Sequence, residues 1–471
     1  MGKYKSLLSN TLIFAIGTFG SKVISYLLLP YNTRFIDPAD LGLLAIITTT
    51  CNLILPMVYC SMSEAVIRFG LDRGVRKSDV YTTGILVVAI GFSIFLLCMP
   101  LMMMIEQIRP YLHLVYFYVL ASSLRVITTH FVRALGLVKL FAIDGMAHTI
   151  TTALLNILFV GALDLGIIGI LLATILADGL FAVGSFVMLR LWKFIKPRHL
   201  NRKVSRAMLR YSAPLVPTAI FWSITNLSDR YFLGEMVDKT TVGLYDTANR
   251  VLPQLLILVS TLFIQAWQIS AFTEYKSKEG ERFYSTVFKS YYTFIFVVAS
   301  GMILMARPFM ALATAPDYYE GWRYIPFLVL SVSISCLVTF LGTIYNAAKH
   351  NGMATITTAL GAGLNIAFNL LLIPDYKAQG AAIATFISYL VVFIVRALHT
   401  RRYMKLSTQP VRIVLNLLLL IGQTVISLSE ISFNIPLQIV MVLLIVAVNL
   451  QYLMYLAGEA MDMLRRKRRA G

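Results

Sequence analysis

Charge is what this sequence has least of: 13% of its 471 residues are Asp, Glu, Lys or Arg, while 58% are hydrophobic. Soluble domains carry about a quarter charged residues, so a soluble globular fold is excluded. Acidic residues are scarcer than basic ones, 22 against 41, giving a formal net charge of +19. In a membrane chain that excess is first explained by Lys and Arg held in cytoplasmic loops, which removes nucleic acid as a partner if the loops pass that test. Cysteine is limited to Cys51, Cys60, Cys98 and Cys336, all in apolar stretches without CxxC spacing. They are expected to pack rather than to bridge or hold a metal. There is no GxxxxGK[ST] phosphate loop, no HExxH helix and no loop long enough to fold an enzyme domain. No catalytic site and no resident cofactor are expected, and active transport by this chain alone would draw on a Na⁺ or H⁺ gradient or on the membrane potential.

What is present is a succession of apolar runs. Windows of roughly 20 residues pick out segments near 9–31, 42–63, 80–104, 112–132, 140–162, 167–189, 210–233, 247–272, 286–306, 324–346, 352–373, 379–399, 411–430 and 435–457. The expected fold is therefore all-α, a polytopic membrane protein of about fourteen transmembrane helices, because these runs lack the alternation of barrel strands. The first run contains Lys22, has no small-x-small cleavage pattern and leads into further spans, so it reads as an uncleaved helix. With a cytoplasmic amino terminus, about thirty-one Lys and Arg fall in inner segments, Arg396 counted among them, and six fall outside. That asymmetry fits the positive-inside rule with both termini cytoplasmic.

Two internal echoes suggest a duplication. FIDPADLGLLAI at 35–46 returns as MVDKTTVGLYDT at 236–247, pairing Asp37 with Asp238 and Gly42 with Gly243. GMAHTITTALLNILF at 145–159 and GIIGILLATI at 166–175 return as GMATITTALGAGLNIAF at 352–368 and GAAIATFI at 380–387, pairing Asn156 with Asn365, Gly169 with Gly380 and Thr174 with Thr385. The expected organisation is two parallel six-helix lobes: residues 1–206 with a basic linker, then 207–400. Helices thirteen and fourteen and a basic tail follow in 401–471. A parallel repeat of this kind places a substrate site between its halves and supports alternating access by rocking.

Ionisable residues inside spans are the functional candidates, since each is costly in lipid. Lys22, Arg125, Arg230 and Arg250 are cations in or near spans, and if they converge they form a pocket for a diphosphate, to which arginine offers bidentate donors. Arg250 is as easily read as snorkelling to the interface. Asp178 is deep in helix six and is the candidate proton relay. Asp144 and His148 share a face of helix five at i, i+4, from which a relay or a metal pair could be built, with structural pairing to an arginine the favoured reading. Glu64 and Arg68, again i, i+4, suggest a salt bridge or gate at the cytoplasmic mouth. Asn365 and Asn369 lie one turn apart on helix eleven, Thr385 adds a hydroxyl and Asp229 a charge, so the four could hold Na⁺ through oxygen ligands; helix–helix hydrogen bonding is the competing use. Pro56, Pro214, Pro217 and Pro253 interrupt helices two, seven and eight, as moving bends or static kinks.

LLLPYNTRFIDPADLGLLAI at 27–46, YSAPLVPTAIFWSITNLSDRYFLG at 211–234 and TTVGLYDTANRV at 240–251 resemble the polysaccharide-exporter family of the multidrug/oligosaccharidyl-lipid/polysaccharide superfamily. The resemblance spans nearly the whole chain, and SDR followed by VGLY is its most specific part. It implies a bacterial cytoplasmic-membrane flippase that moves undecaprenyl-diphosphate-linked oligosaccharides outward, among membrane lipids and with a polysaccharide polymerase and glycosyltransferases as partners. The related lipid II flippases imply a cationic central cavity, a groove for the lipid tail beside helices thirteen and fourteen, and a Na⁺ site among helices seven, eleven and twelve. Where a carboxylate is expected on helix eleven this chain has Asn369, a departure that weakens Na⁺ as the coupling ion. The alternatives are a lipid II flippase and a cation-coupled multidrug exporter. The latter is disfavoured by helices 411–457 and by cations where an acid-lined pocket would be needed.

Overall fold

In a computed structural model of the chain, residues 20–470 are described apart from Lys22, Arg73, 276–278, Lys349 and Glu430. The described residues are helical and turn, with no strand. Among the described residues, ten helices are long and apolar enough to cross a membrane, or eleven if the pair bent by 42° at Leu252 is one span. The fourteen expected segments reduce to this number for identifiable reasons. Most of 9–31 lies outside the described residues, 210–233 corresponds to Leu215–Met236, which is not among the ten, 247–272 is broken ahead of Pro253, and 352–373 and 379–399 are the two arms of one bent helix of 49 residues, Asn351–His399. Straight, that helix would extend about 75 Å at 1.5 Å per residue, more than twice a hydrocarbon core of about 30 Å. It instead breaks at Lys377, whose φ of 50° and ψ of −131° are not helical.

The chain divides into two compact units. The first comprises Met1–Gly234 and Asp238–Gly243, the second Glu235–Val237 and Leu244–Gly471. The first contains α1 (residues 20–35), α2 (Pro38–Val58), α3 (Met62–Leu71), α4 (Lys77–Leu97), α5 (Leu112–Ala134), α6 (Val138–Asn156), α7 (Gly166–Met188), the amphipathic α8 (Arg202–Ser212) and nearly all of α9 (Leu215–Met236). Asp37 starts α2 by accepting from the Asp40 amide at 2.8 Å, with Pro38 in the first turn, where its missing N–H is not needed. Asp238 repeats the cap on the Thr241 amide at 2.6 Å. The core of the unit is built from Ile47, Val115, Leu171 and their neighbours, and from a second cluster where Tyr81 stacks on Phe131 at 4.5 Å. The basic face of α8 is exposed, while Met208 and Ser212 are buried.

The second unit holds α10 (Lys239–Val251) from Leu244 on, α11 (Pro253–Glu274), α12 (Gly280–Leu304), α13 (Ile325–Ala348), α14 (Asn351–His399), α15 (Pro410–Leu428) and α16 (Asn434–Ala470). Trp267 lies flat on Phe340 at 5.0 Å and donates to Thr343 Oγ1 at 3.0 Å, so its indole N–H is satisfied in the core. The two C-terminal helices are tied to α12 by polar side chains. Asn449 and Asn416 pair, Asn449 Oδ1 accepts from Thr293 at 3.1 Å, and Gln423 exchanges bonds with Ser300 at 2.7 and 2.9 Å. Interhelical hydrogen bonds in membranes average about 0.6 kcal/mol and reach about 1.7. Asn449→Leu is therefore expected to lower stability by roughly 1–2 kcal/mol, seen as a lower midpoint of thermal unfolding in detergent. An unchanged midpoint would show that α16 is held by apolar packing alone.

Candidate functional site

The first unit brings together four ionisable side chains that are far apart in sequence. Arg125 projects from α5, Asp144 and His148 from α6, and Asp178 from α7. Arg125 Nη2 lies 3.7 Å from Asp144 Oδ2 and its Nε 3.6 Å from Asp178 Oδ1. His148 Nε2 lies 2.8 Å from the same Asp178 oxygen. The Ser122 hydroxyl donates to the other Asp178 oxygen, and Ser185 donates to Asp144 Oδ1 at 3.2 Å. All four ionisable groups are largely withdrawn from solvent, between 8% and 20% exposed. The i, i+4 spacing of Asp144 and His148 turns both toward α7, and the pairing of Asp144 with an arginine is the favoured sequence reading. That Arg125 serves two carboxylates was not legible, because nothing in the sequence states which span packs on which.

In the second unit Asn365 Nδ2 donates to Thr385 Oγ1 at 2.9 Å and Asn369 Nδ2 to Asn365 Oδ1 at 3.2 Å. The three expected cation ligands do meet, as a ladder of hydrogen bonds across the two arms of α14. Asp229, the fourth, is buried on α9 and belongs to the other unit. The matched residues Asn156 and Thr174 make no such bond. Thr174 bonds the Ile170 carbonyl at 3.1 Å, and the chain after Asn156 winds as a π-helix, Ile157–Ala162.

Arg396 corrects the inner-loop tally. It is 4% exposed inside α14, with Nε on Thr357 Oγ1 at 2.9 Å, Nη1 on the Val338 carbonyl at 2.9 Å, and Nη2 on the Ala354 carbonyl at 3.2 Å and Thr358 Oγ1 at 3.1 Å. No carboxylate contacts it among the described residues. Gly342 makes room, since a Cβ there would stand 3.0 Å from the guanidinium. Arg396 lies eleven residues after Thr385, as Ser185 does after the matched Thr174. The crossing of two helices is thus polar in both units, with a surplus of acid in one and a lone guanidinium in the other.

Lys22 lies outside the described residues. Arg230 is half-buried on α9, and both it and Asp229 are engaged by neighbouring groups. Arg250 pairs with the buried Asp246 at 2.7 Å while half its side chain stays exposed. Glu64 and Arg68 are exposed on α3 and do not pair; the Arg68 guanidinium sits over the Tyr211 ring at 4.9 Å, whose face offers a cation a site without desolvating it. Cys51 and Cys336 are buried, and all four cysteines are free thiols.

Residues 7–268 match the model of the polysaccharide biosynthesis protein family, more than half of the chain. The chain belongs to that family. A curated relative, the probable low-salt glycan biosynthesis flippase Agl15 of Haloferax volcanii, is 22% identical over 214 residues. The match covers 44% of each chain, so the chain spans less than half the length of that relative. Among solved structures, the lipid II flippase MurJ in an inward closed conformation superposes with a TM-score of 0.68 over 96% of this chain and all of that one, at 15% identity. A point mutant of a MATE protein gives 0.59 over 85% and 96%, at 14% identity, and a transporter of the MOP superfamily from Pyrococcus furiosus gives 0.59 over 85% and 96%, at 13%. The chain therefore shares the polytopic helical fold of those proteins.

Proposed function

We propose that this chain is a flippase that moves undecaprenyl-diphosphate-linked oligosaccharide units across the cytoplasmic membrane by alternating access, with both termini on the cytoplasmic side. The observation that carries the reading is a likeness to a lipid II flippase over 96% of the chain in a member of the polysaccharide biosynthesis family. Its cations within spans point the same way, because a membrane carrier of an anionic lipid needs positive charge where lipid would otherwise forbid it. In this reading Lys22, Arg125, Arg230 and Arg250 receive the diphosphate and the polyprenyl tail stays in lipid. Glu64 and Arg68 stand at the cytoplasmic mouth as gate residues. Asp229, Asn365, Asn369 and Thr385 are the Na⁺ alternative to a proton as coupling ion. The same fold likeness supports a second reading, a lipid II flippase.

Depletion of the protein in its own host separates the readings. A flippase of oligosaccharide units leaves an undecaprenyl-linked glycan on the cytoplasmic leaflet, detected by extraction and mass spectrometry. Accumulation of lipid II instead would favour the second reading. No accumulation, with a gain in sensitivity to a cationic dye, would replace both with a multidrug exporter.

A further inference from the structure

Among the described residues, the cluster of the first unit is out of balance by one charge. Asp144 and Asp178 carry two negative charges, Arg125 one positive, and His148 none when neutral. A net charge held in membrane spans and shielded from solvent is unfavourable and is removed wherever a proton can be taken up. The group placed to take it is His148, whose Nε2 already stands 2.8 Å from Asp178 Oδ1, so protonation turns that contact into an ion pair without moving a heavy atom. A metal ion does not fit: among the described residues no three His, Cys, Asp or Glu groups are arranged to hold one, and Arg125 would repel it.

The neighbouring elements supply no second fixed cation among the described residues. On α5, Tyr118 lies within electrostatic range of Asp178, and Cys51 of α2 within range of Tyr118. His130, beyond Arg125 on α5, lies within range of it, with Glu64 of α3 and Arg133 beside His130. On α1 the Ser21 hydroxyl meets the Gly145 carbonyl at 3.4 Å.

We propose that Arg125, Asp144, His148 and Asp178 form a one-proton binding site, and that its proton decides whether Arg125 is available to an anionic ligand. With the site empty, the guanidinium is the sole fixed positive partner of two carboxylates among the described residues. Once His148 carries a proton, Asp178 has a second cationic partner, and the guanidinium can turn to a phosphate oxygen. Proton and anion then favour each other's binding by the same factor, as linkage requires. The second half of this inference rests on the flippase reading; the first does not.

The test uses the full-length protein in phosphatidylcholine nanodiscs, titrated from about pH 8 to about pH 5 with proton uptake counted. The wild type is expected to take up about one proton more than Asp178→Asn, because the amide removes the surplus charge at nearly the same shape; the pair titrates as a unit. Asp144→Asn removes the same charge from the other carboxylate, and is expected to lose the same proton if Asp178→Asn does not fold. Equal uptake in the wild type and in whichever variants fold would overturn the site. In a second arm, undecaprenyl diphosphate binding is measured across the same range. Affinity should rise up to about tenfold per unit fall in pH in the wild type relative to Asp178→Asn, a comparison that cancels titration of the lipid itself. Binding with equal pH dependence in both proteins would overturn the coupling. Absence of binding at every pH, with the extra proton still counted, would overturn the flippase reading and leave the proton site standing.

Discussion

Arg125→Gln should sharply reduce the amount of folded protein, and adding Asp144→Asn and Asp178→Asn should restore it. Removing one partner of a buried ion pair destabilises by about 3–5 kcal/mol, mostly because the partner left behind is uncompensated. The separations of 3.6 and 3.7 Å and the 20% exposure of Arg125 argue for the lower part of that range. Even so, roughly 3 kcal/mol is a large fraction of a typical stability of about 5–15. Two carboxylates would face each other with only His148 to compensate them among the described residues, so the deficit should shrink as pH falls and they take up protons. Thermal unfolding in detergent at about pH 8 and pH 6 checks both statements. A single variant as stable as the wild type at both values would show that the cluster is solvated enough to dispense with its cation. The triple variant carries the functional information: charge-balanced and folded, it should still fail to move substrate, because the cation proposed to meet the diphosphate is gone.

The pattern of spans was legible because apolar length is a local property, and the helices fall close to the expected windows. What could not be read was the partner of each polar residue. Arg396 shows why. A cation near the end of an apolar run is ordinarily a loop residue, and the positive-inside rule counts it so. Here α14 continues to His399, which leaves Arg396 inside the protein, with Gly342, Thr357 and Thr358 providing room and acceptors. Those three are visible in the sequence as small and hydroxyl residues, but only packing identifies them as one site. Asn365 and Asn369 illustrate the opposite case, since one-turn spacing places them on one face, where Asn369 bonds Asn365 and Asn365 bonds Thr385. Asp178 stands out in the sequence by its apolar surroundings, whereas its partners Ser122, Arg125 and His148 come from two other helices.

Gly243→Val is expected to produce the second large loss, through backbone rather than charge. A Cβ on Gly243 would overlap the carbonyl oxygen of Pro38, and one on Gly42 would overlap the carbonyl oxygen of Lys239. The repeat that matches Gly42 with Gly243 also matches Pro38 with Lys239, so each glycine meets the residue equivalent to the one its counterpart meets. The contact is self-complementary, made twice about a local two-fold, in the manner of an isologous interface. The caps on Asp40 by Asp37 and on Thr241 by Asp238 fix both segments in the same register. Small residues allow backbones to approach this closely in membranes, and a carbonyl in a helix cannot rotate away from an added side chain as a flexible group could. Overpacking typically destabilises by about 1–3 kcal/mol, and a backbone obstacle places this site at the upper end. Gly42→Val should act similarly, and the double variant should be less harmful than the sum of the two, because the first substitution has already opened the seam that the second would strain. Unfolding midpoints of the four proteins, with a cysteine cross-link between positions 38 and 239 to report closure, measure this directly. Strict additivity, or a cross-link formed as fast in Gly243→Val as in the wild type, would mean that the two glycines do not share one contact.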